Sequence, residues 1–173
     1  MWLGRENIPE PLVKCMKTCR DKHPTWKHVV WTEQNMPVPF TFSKEWNIDK
    51  NLARKSDLVR LQVLYNYGGV YLDTDMECIK PIDELLGEYN FIMASECGNP
   101  FYKKNCEEVH LNNAMIASTR ENPILRSIMY EVKKRYHELG DVGDLEPLKY
   151  VSRLSGPDVF NHFRQKLDTL KEG

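Results

Sequence analysis

The stretch from Asn51 to Asp75 constrains the fold of this chain more than any other. From Leu52 to Tyr67 the residues recur at helical spacing. Ala53, Asp57, Arg60, Leu61 and Leu64 share one face, and Leu52, Val59, Val63 and Tyr67 a neighbouring one. Gly68-Gly69 ends the helix as a C-cap pair. Val70-Tyr71-Leu72-Asp73 follows at once as a strand, with Val70 and Leu72 on one side and Tyr71 and Asp73 on the other. Val70 and Leu72 are expected to bury that strand. Asp73-Thr74-Asp75 then stands at its end, at the edge of the core.

The rest of the chain alternates in the same manner. A loop punctuated by Gly4, Pro9 and Pro11 leads to a short helix over 12–20, which His23-Pro24-Thr25 breaks. Trp26 to Thr32 is rich in β-branched and aromatic residues and reads as a buried strand. Further strands are predicted at 89–95 and 114–118, and further helices at 123–139 and 158–170. Gly140 stops the first of these helices and Pro157 opens the second. Strands alternating with helices predict an α/β sandwich with a largely parallel sheet.

Composition excludes several classes. Hydrophobic residues at 41% and charged residues at 28% suit one soluble domain, not a disordered chain, a collagen-like repeat or a membrane bundle. Lys+Arg at 24 against Asp+Glu at 25 gives none of the basic surplus by which nucleic-acid binders are recognised. No apolar run reaches the ~18 residues of a spanning helix, and residues 1–6 show no apolar signal-peptide core. Cys15, Cys19, Cys78, Cys97 and Cys106 form an odd set with no CxxC pair. Cys15 and Cys19 share a helix face, but no second Cys/His pair has zinc-like spacing. Reduced thiols in a cytoplasmic protein are the expectation.

Chemistry concentrates at Asp73 and Asp75. At a strand-to-loop turn both carboxylates can reach one hard divalent cation, which commonly takes one or two carboxylates plus substrate phosphates. An isolated DxD is weak evidence, because acidic pairs on loops are mostly solvated. Here an unpaired carboxylate beside a core would be costly, and a cation or hydrogen-bonded ligand relieves that cost. Asp57 and Arg60, three apart on the helix, form a second pair. They could be a plain surface salt bridge, yet their face also carries Leu61 and Leu64 and points inward. A buried acid–guanidinium pair beside a metal suits a sugar diphosphate.

Asn51 to Pro81 resembles the central signature of glycosyltransferase family 32, the sugar-transferring DXD proteins, and the catalytic core of the large clostridial glucosylating toxins. The pattern A-x-x-S-D-x-x-R, an apolar run, then G-G-x-Y-x-D-x-D is filled by Ala53, Ser56, Asp57, Arg60, Gly68, Gly69, Tyr71, Asp73 and Asp75. Weaker likenesses are Trp2-Leu3-Gly4 to a W-x-G, Pro24–Trp31 to the second strand, Leu111–Ala114 to an N-A segment, and Ser155-Gly156-Pro157 to a T-G-P near the acceptor. The resemblance implies a GT-A-like three-layer sandwich with a mostly parallel central sheet. It makes residues 1–173 a single domain shortened at both ends, lacking the family's first strand and its C-terminal segment.

The resemblance also implies roles. Asp75 would bind the metal directly, and Asp73 through water while contacting sugar and ribose hydroxyls. Asp57 and Arg60 would grip the transferred sugar, Arg60 also stabilising phosphate charge; Arg60, Asp57 and Asp73 are the expected catalytic residues. Tyr71 would contact the diphosphate or sugar, Ser56 the nucleotide, Asn113 the donor sugar, and Trp2 would stack on the base. Plainer readings remain open: Trp2 as core packing, Tyr71 as a satisfied buried tyrosine, Asn113 as a turn residue, Ser56 bonding its own helix backbone.

The implied activity is metal-dependent, retaining sugar transfer from a nucleotide-sugar to an acceptor hydroxyl, as in polysaccharide or glycoconjugate synthesis. Mn²⁺ or Mg²⁺ is the implied cofactor and a UDP-sugar the implied donor, with GDP-mannose as alternative. The acceptor could be a glycan, lipid or protein, and peripheral membrane association would come from flanking segments. Two other readings are a non-catalytic nucleotide-sugar-binding remnant and a haloacid-dehalogenase-like phosphatase. The latter places its D-x-D on the first strand with Thr or Val two residues after the second Asp, where this chain has Glu77.

Overall fold

The computed structural model describes residues 1–3, 7–96, 110–140 and 148–171; Gly4, Cys97 and Cys106 lie outside the described residues. Helices α1 (Glu10–Lys22), α2 (Ser43–Ile48) and α3 (Leu52–Tyr67) precede strand β1 (Gly69–Leu72). A short α4 (Asp83–Leu86), strands β2 (Phe91–Glu96) and β3 (His110–Ser118), and helices α5 (Pro123–Leu139), α6 (Leu148–Leu154) and α7 (Pro157–Lys171) follow. The predicted helices over 52–67 and 123–139 match α3 and α5, and both are capped by asparagine. Asn51 accepts from the backbone N–H groups of Ala53 and Arg54, and Asn122 from Ile124.

The chain is α/β, but the sheet corrects the expectation of a mostly parallel one. Its described strands run in the order β1-β3-β2, and β3 is antiparallel to both neighbours. The reason lies in the middle of the chain, where β1, β2 and β3 succeed one another with only the four-residue α4 as an intervening described helix. Parallel neighbours are joined by helical crossovers, and alternation of strand with helix is what predicts them. Trp26–Thr32 is a second correction, since it joins no ladder among the described residues. Its aromatic residues are used for packing instead: Trp31 stacks on Tyr67 with ring centroids 5.5 Å apart, and its carbonyl accepts from the Trp2 N–H.

Helix α3 is the axis of the molecule. It is buried on every side from Asp57 to Leu64, whereas Leu52 and Ala53 are exposed at its start. Two expected faces therefore become one buried cylinder. Arg54 is fully buried and grips Asp49 with two hydrogen bonds, Nε to Oδ2 at 2.7 Å and Nη2 to Oδ1 at 2.8 Å. Tyr136 of α5 donates to the same Asp49 Oδ2 at 2.6 Å, which pins α3 to α5. Gly68 ends α3 at φ +69°, where a Cβ would lie 2.8 Å from the Arg120 nitrogen, so glycine is required there. On β1 the inward residue is Tyr71, 6% exposed, and not the expected Val70 and Leu72, which are only half-buried.

Cys19 and Cys78 form a disulfide with their Cα atoms 4.8 Å apart, overturning the expectation of reduced thiols for this pair. A cross-link over 59 positions is worth about 4 kcal/mol against the unfolded chain in the loop-entropy account. It fastens the loop after β1 onto α1, and three hydrogen bonds reinforce it. The Cys78 N–H donates to Thr18 Oγ1 at 2.9 Å, Ile82 N–H to His23 Nε2 at 3.0 Å, and Trp26 Nε1–H to Asp83 Oδ1 at 2.9 Å.

Candidate functional site

The end of β1, the middle of α3 and the centre of β3 meet in one cleft. Its walls include Trp2, Ser56, Asp57, Arg60, Asp73, Asp75 and Asn113, so residues proposed from four separate stretches of sequence face one space. Arg60 is the hub. Its Nη2 donates to Asp73 Oδ1 at 2.9 Å and lies 3.3 Å from Asp57 Oδ1, while Nη1 donates to the Asn113 carbonyl. The guanidinium carbon sits 4.5 Å from the centre of the Tyr71 ring, a cation–π stack. The Nε–H is buried without a hydrogen-bond partner among the described residues.

One cation thus serves two carboxylates. Burial disfavours the Arg60 charge, but Asp57, Tyr71 and Asp73 outweigh it and hold its pKa above the ordinary value. Burial pushes the Asp57 carboxyl above its usual range, against the pull of Arg60 and of hydrogen bonds from Ser155 and Asn113. Those bonds are Asn113 Nδ2 to Oδ1 and Ser155 Oγ to Oδ2, each 2.9 Å. Tyr71 is driven up chiefly by burial and stays a phenol, donating to Asp73 Oδ1 at 2.9 Å. It lies beneath Arg60, with Ser56 Oγ 3.4 Å from its hydroxyl.

Strand β3 brings Asn113 here through a break in register. Met93 pairs with Ile116 but Ala94 with Asn112, so Asn113–Met115 bulge out of the β2 ladder. The Ala114 carbonyl accepts from the Asp73 N–H at 2.8 Å, tying the bulge to the DxD turn. Asn113 is therefore a buried strand residue and not a turn residue. Sequence reasoning did not assign Ser155 to the site; its signal was the Ser-Gly-Pro triplet.

Among the described residues, no three His, Cys, Asp or Glu side chains form a metal cage of their own. Asp73 is half-buried with Oδ1 occupied by Arg60 and Tyr71. Asp75 is exposed and faces the same cleft, with no hydrogen bond or ion pair from the described residues. Two oxygen donors with free lone pairs fit a hard divalent cation that completes its shell with phosphate and water.

Residues 9–92 match the family described as glycosyltransferase sugar-binding region containing DXD motif. The chain is 31% identical over 145 residues to inositol phosphoceramide mannosyltransferase 1 of Schizosaccharomyces pombe, covering 76% of this chain and 41% of that protein. It is 29% identical over 175 residues to mannosyl phosphorylinositol ceramide synthase SUR1 of Saccharomyces cerevisiae, covering 84% and 44%. The chain thus spans about two fifths of the length of these curated relatives. Among solved structures, the PaToxG glycosyltransferase superposes with a TM-score of 0.69 over 99% of this chain and 69% of that one. Sequence identity there is 19%, so that likeness carries the fold alone.

Proposed function

Because this chain belongs to the family of glycosyltransferase sugar-binding regions containing a DXD motif, we propose that it transfers a hexosyl group from a nucleotide-sugar to an acceptor hydroxyl. The observation that carries the reading is the meeting of Asp75 and Arg60 on one cleft. A divalent cation held by Asp73 and Asp75 would supply charge neutralisation for the departing diphosphate. Mn²⁺ and Mg²⁺ both suit this donor set.

The chain's own residues perform the remaining work. Arg60, buried and fixed on three sides, presents positive charge to the leaving oxygens without having to reorganise, which is the efficient form of electrostatic stabilisation. Asp57 and Asn113 offer an acceptor and an amide to the hydroxyls of the transferred sugar. Trp2 and Ser56 stand at the cleft wall for the nucleoside. The anomeric carbon's bond to the phosphate oxygen breaks as the bond to the acceptor oxygen forms, and the acceptor's proton passes to the departing diphosphate. Retention of configuration follows from the family resemblance, and the anomeric signal of the product tests it.

The names of the relatives favour mannose, which moves GDP-mannose ahead of the UDP-sugars, and a glycolipid-type acceptor ahead of a protein. The Cys19–Cys78 bond favours an oxidising compartment over the cytosol. Among the described residues no helix is long and apolar enough to cross a membrane.

The test is thermal melting and turnover with GDP-mannose and UDP-sugars, with and without Mn²⁺. We expect nucleoside diphosphate and metal together to raise Tm more than the sum of either alone, and EDTA to abolish both this effect and release of free sugar. If no nucleotide shifts Tm with or without Mn²⁺, the reading fails. Binding without any hydrolysis or transfer supports the nucleotide-sugar-binding remnant instead.

A further inference from the structure

We propose that Ser155 is a positioning residue for sugar transfer: its hydroxyl fixes the rotation of the Asp57 carboxylate, so that Oδ1 is presented to Arg60, Asn113 and the donor sugar. The inference rests on the transferase reading above.

A carboxylate turns readily about its last side-chain torsion, which has a broad two-fold profile. Asp57 Oδ1 is already shared between Asn113 Nδ2 at 2.9 Å and Arg60 Nη2 at 3.3 Å. Those contacts hold one oxygen only. The opposite oxygen, Oδ2, accepts from Ser155 Oγ at 2.9 Å, from a residue 98 positions away in sequence. With donors on both sides, the plane of the carboxylate is set. Without Ser155 a buried acceptor would be left short of a partner and would turn toward Arg60, the strongest remaining donor.

Ser155 is built to hold its place. It is fully buried at the junction of α6 and α7, where the N–H groups of Ser155 and Gly156 both donate to the Val151 carbonyl. The turn is so tight that a Cβ on Gly156 would lie 2.9 Å from both the Val151 oxygen and the Ser152 Cα. Leu154, Val159 and Phe160, all at 1% exposure or less, anchor the two helix ends in the core. Val151 and Pro157 from the same junction line the cleft. The α6–α7 turn therefore reaches the reacting groups through one hydroxyl.

Ser155→Ala removes only that oxygen. We expect a Tm lower by only a few degrees, the cost of one buried acceptor losing a partner, unchanged affinity for the nucleoside diphosphate, and kcat lower by about tenfold, the worth of one hydrogen bond to a charged group. The affinity advantage of GDP-mannose over GDP (or of UDP-glucose over UDP, should the parent take that donor) falls with it, read by titration calorimetry. In an Asp57→Ala background the same change has no further effect on that advantage. A parent-like kcat in Ser155→Ala overturns the inference, as does an equal loss with Asp57 absent. Loss of nucleoside diphosphate binding in step with Tm also overturns it, because it marks a purely structural hydroxyl. A parent chain without turnover overturns both the transferase reading and this inference, whereas an active parent with an unaffected Ser155→Ala overturns the inference alone.

Discussion

Asp75→Ala leaves the fold intact and lowers kcat/KM by about 10³-fold or more. The size follows from the several kcal/mol by which a bound cation stabilises developing charge, since each 1.36 kcal/mol is a tenfold change in rate. The selectivity follows from the structure. Asp75 is exposed, and among the described residues nothing bonds to its carboxylate, so its removal disturbs no packing. Asp73 cannot supply both ligands, because its Oδ1 is already shared by Arg60 and Tyr71, which leaves Oδ2 alone for the cation. Calorimetry with Mn²⁺ and nucleoside diphosphate should show the metal-dependent part of binding gone, with an unchanged melting curve. A variant that binds metal and nucleotide as the parent does would refute the assignment of Asp75.

Arg60→Ala acts on both activity and stability. Loss of one preorganised donor at a site of developing charge costs ~10²–10³-fold in kcat, and here the guanidinium is also the shared counter-charge of Asp57 and Asp73. Breaking a buried pair by removing one partner costs about 3–5 kcal/mol. The Asp57 pair is buried, but Asp73 is 32% exposed and water softens its share. Arg60→Lys separates the two effects. A lysine restores the charge, and most of the stability in a urea titration, yet one ammonium cannot serve the Asn113 carbonyl, Asp73 and Asp57 in the planar geometry that Arg60 uses. Turnover therefore stays low in Arg60→Lys. Full turnover with lysine would show that only the charge matters and would remove Arg60's geometric role.

The parts of this molecule legible in its sequence are those whose physics is local. Helix α3 could be read because its periodicity and the Gly68-Gly69 stop at its end are both local signals. Asp57, Arg60, Asp73 and Asp75 could be brought together because one helix-to-strand connection carries all four. Tyr71 was harder: alternation separates two sides of β1 but does not say which is buried, and the side with Val70 and Leu72 looked the more apolar. Partners across long separations were out of reach. The Ser155–Asp57 bond and the Cys19–Cys78 pairing depend on how distant elements dock, and spacing alone cannot supply that. The antiparallel sheet escaped for the same reason, since the direction of β3 is set by which neighbours it meets.

The disulfide has a topological consequence. Bonding Cys19 to Cys78 makes residues 19–78 a closed covalent ring, and Asp57, Arg60, Asp73 and Asp75 all lie on it. A single backbone scission within the ring opens it without releasing either piece, so these four charges stay in one covalent molecule. Asn113 and Ser155 belong to the tail outside the ring, and a scission between residues 78 and 113 leaves them attached to the ring by noncovalent packing alone. The charged half of the cleft is thus guarded by chemistry, and its other half only by docking.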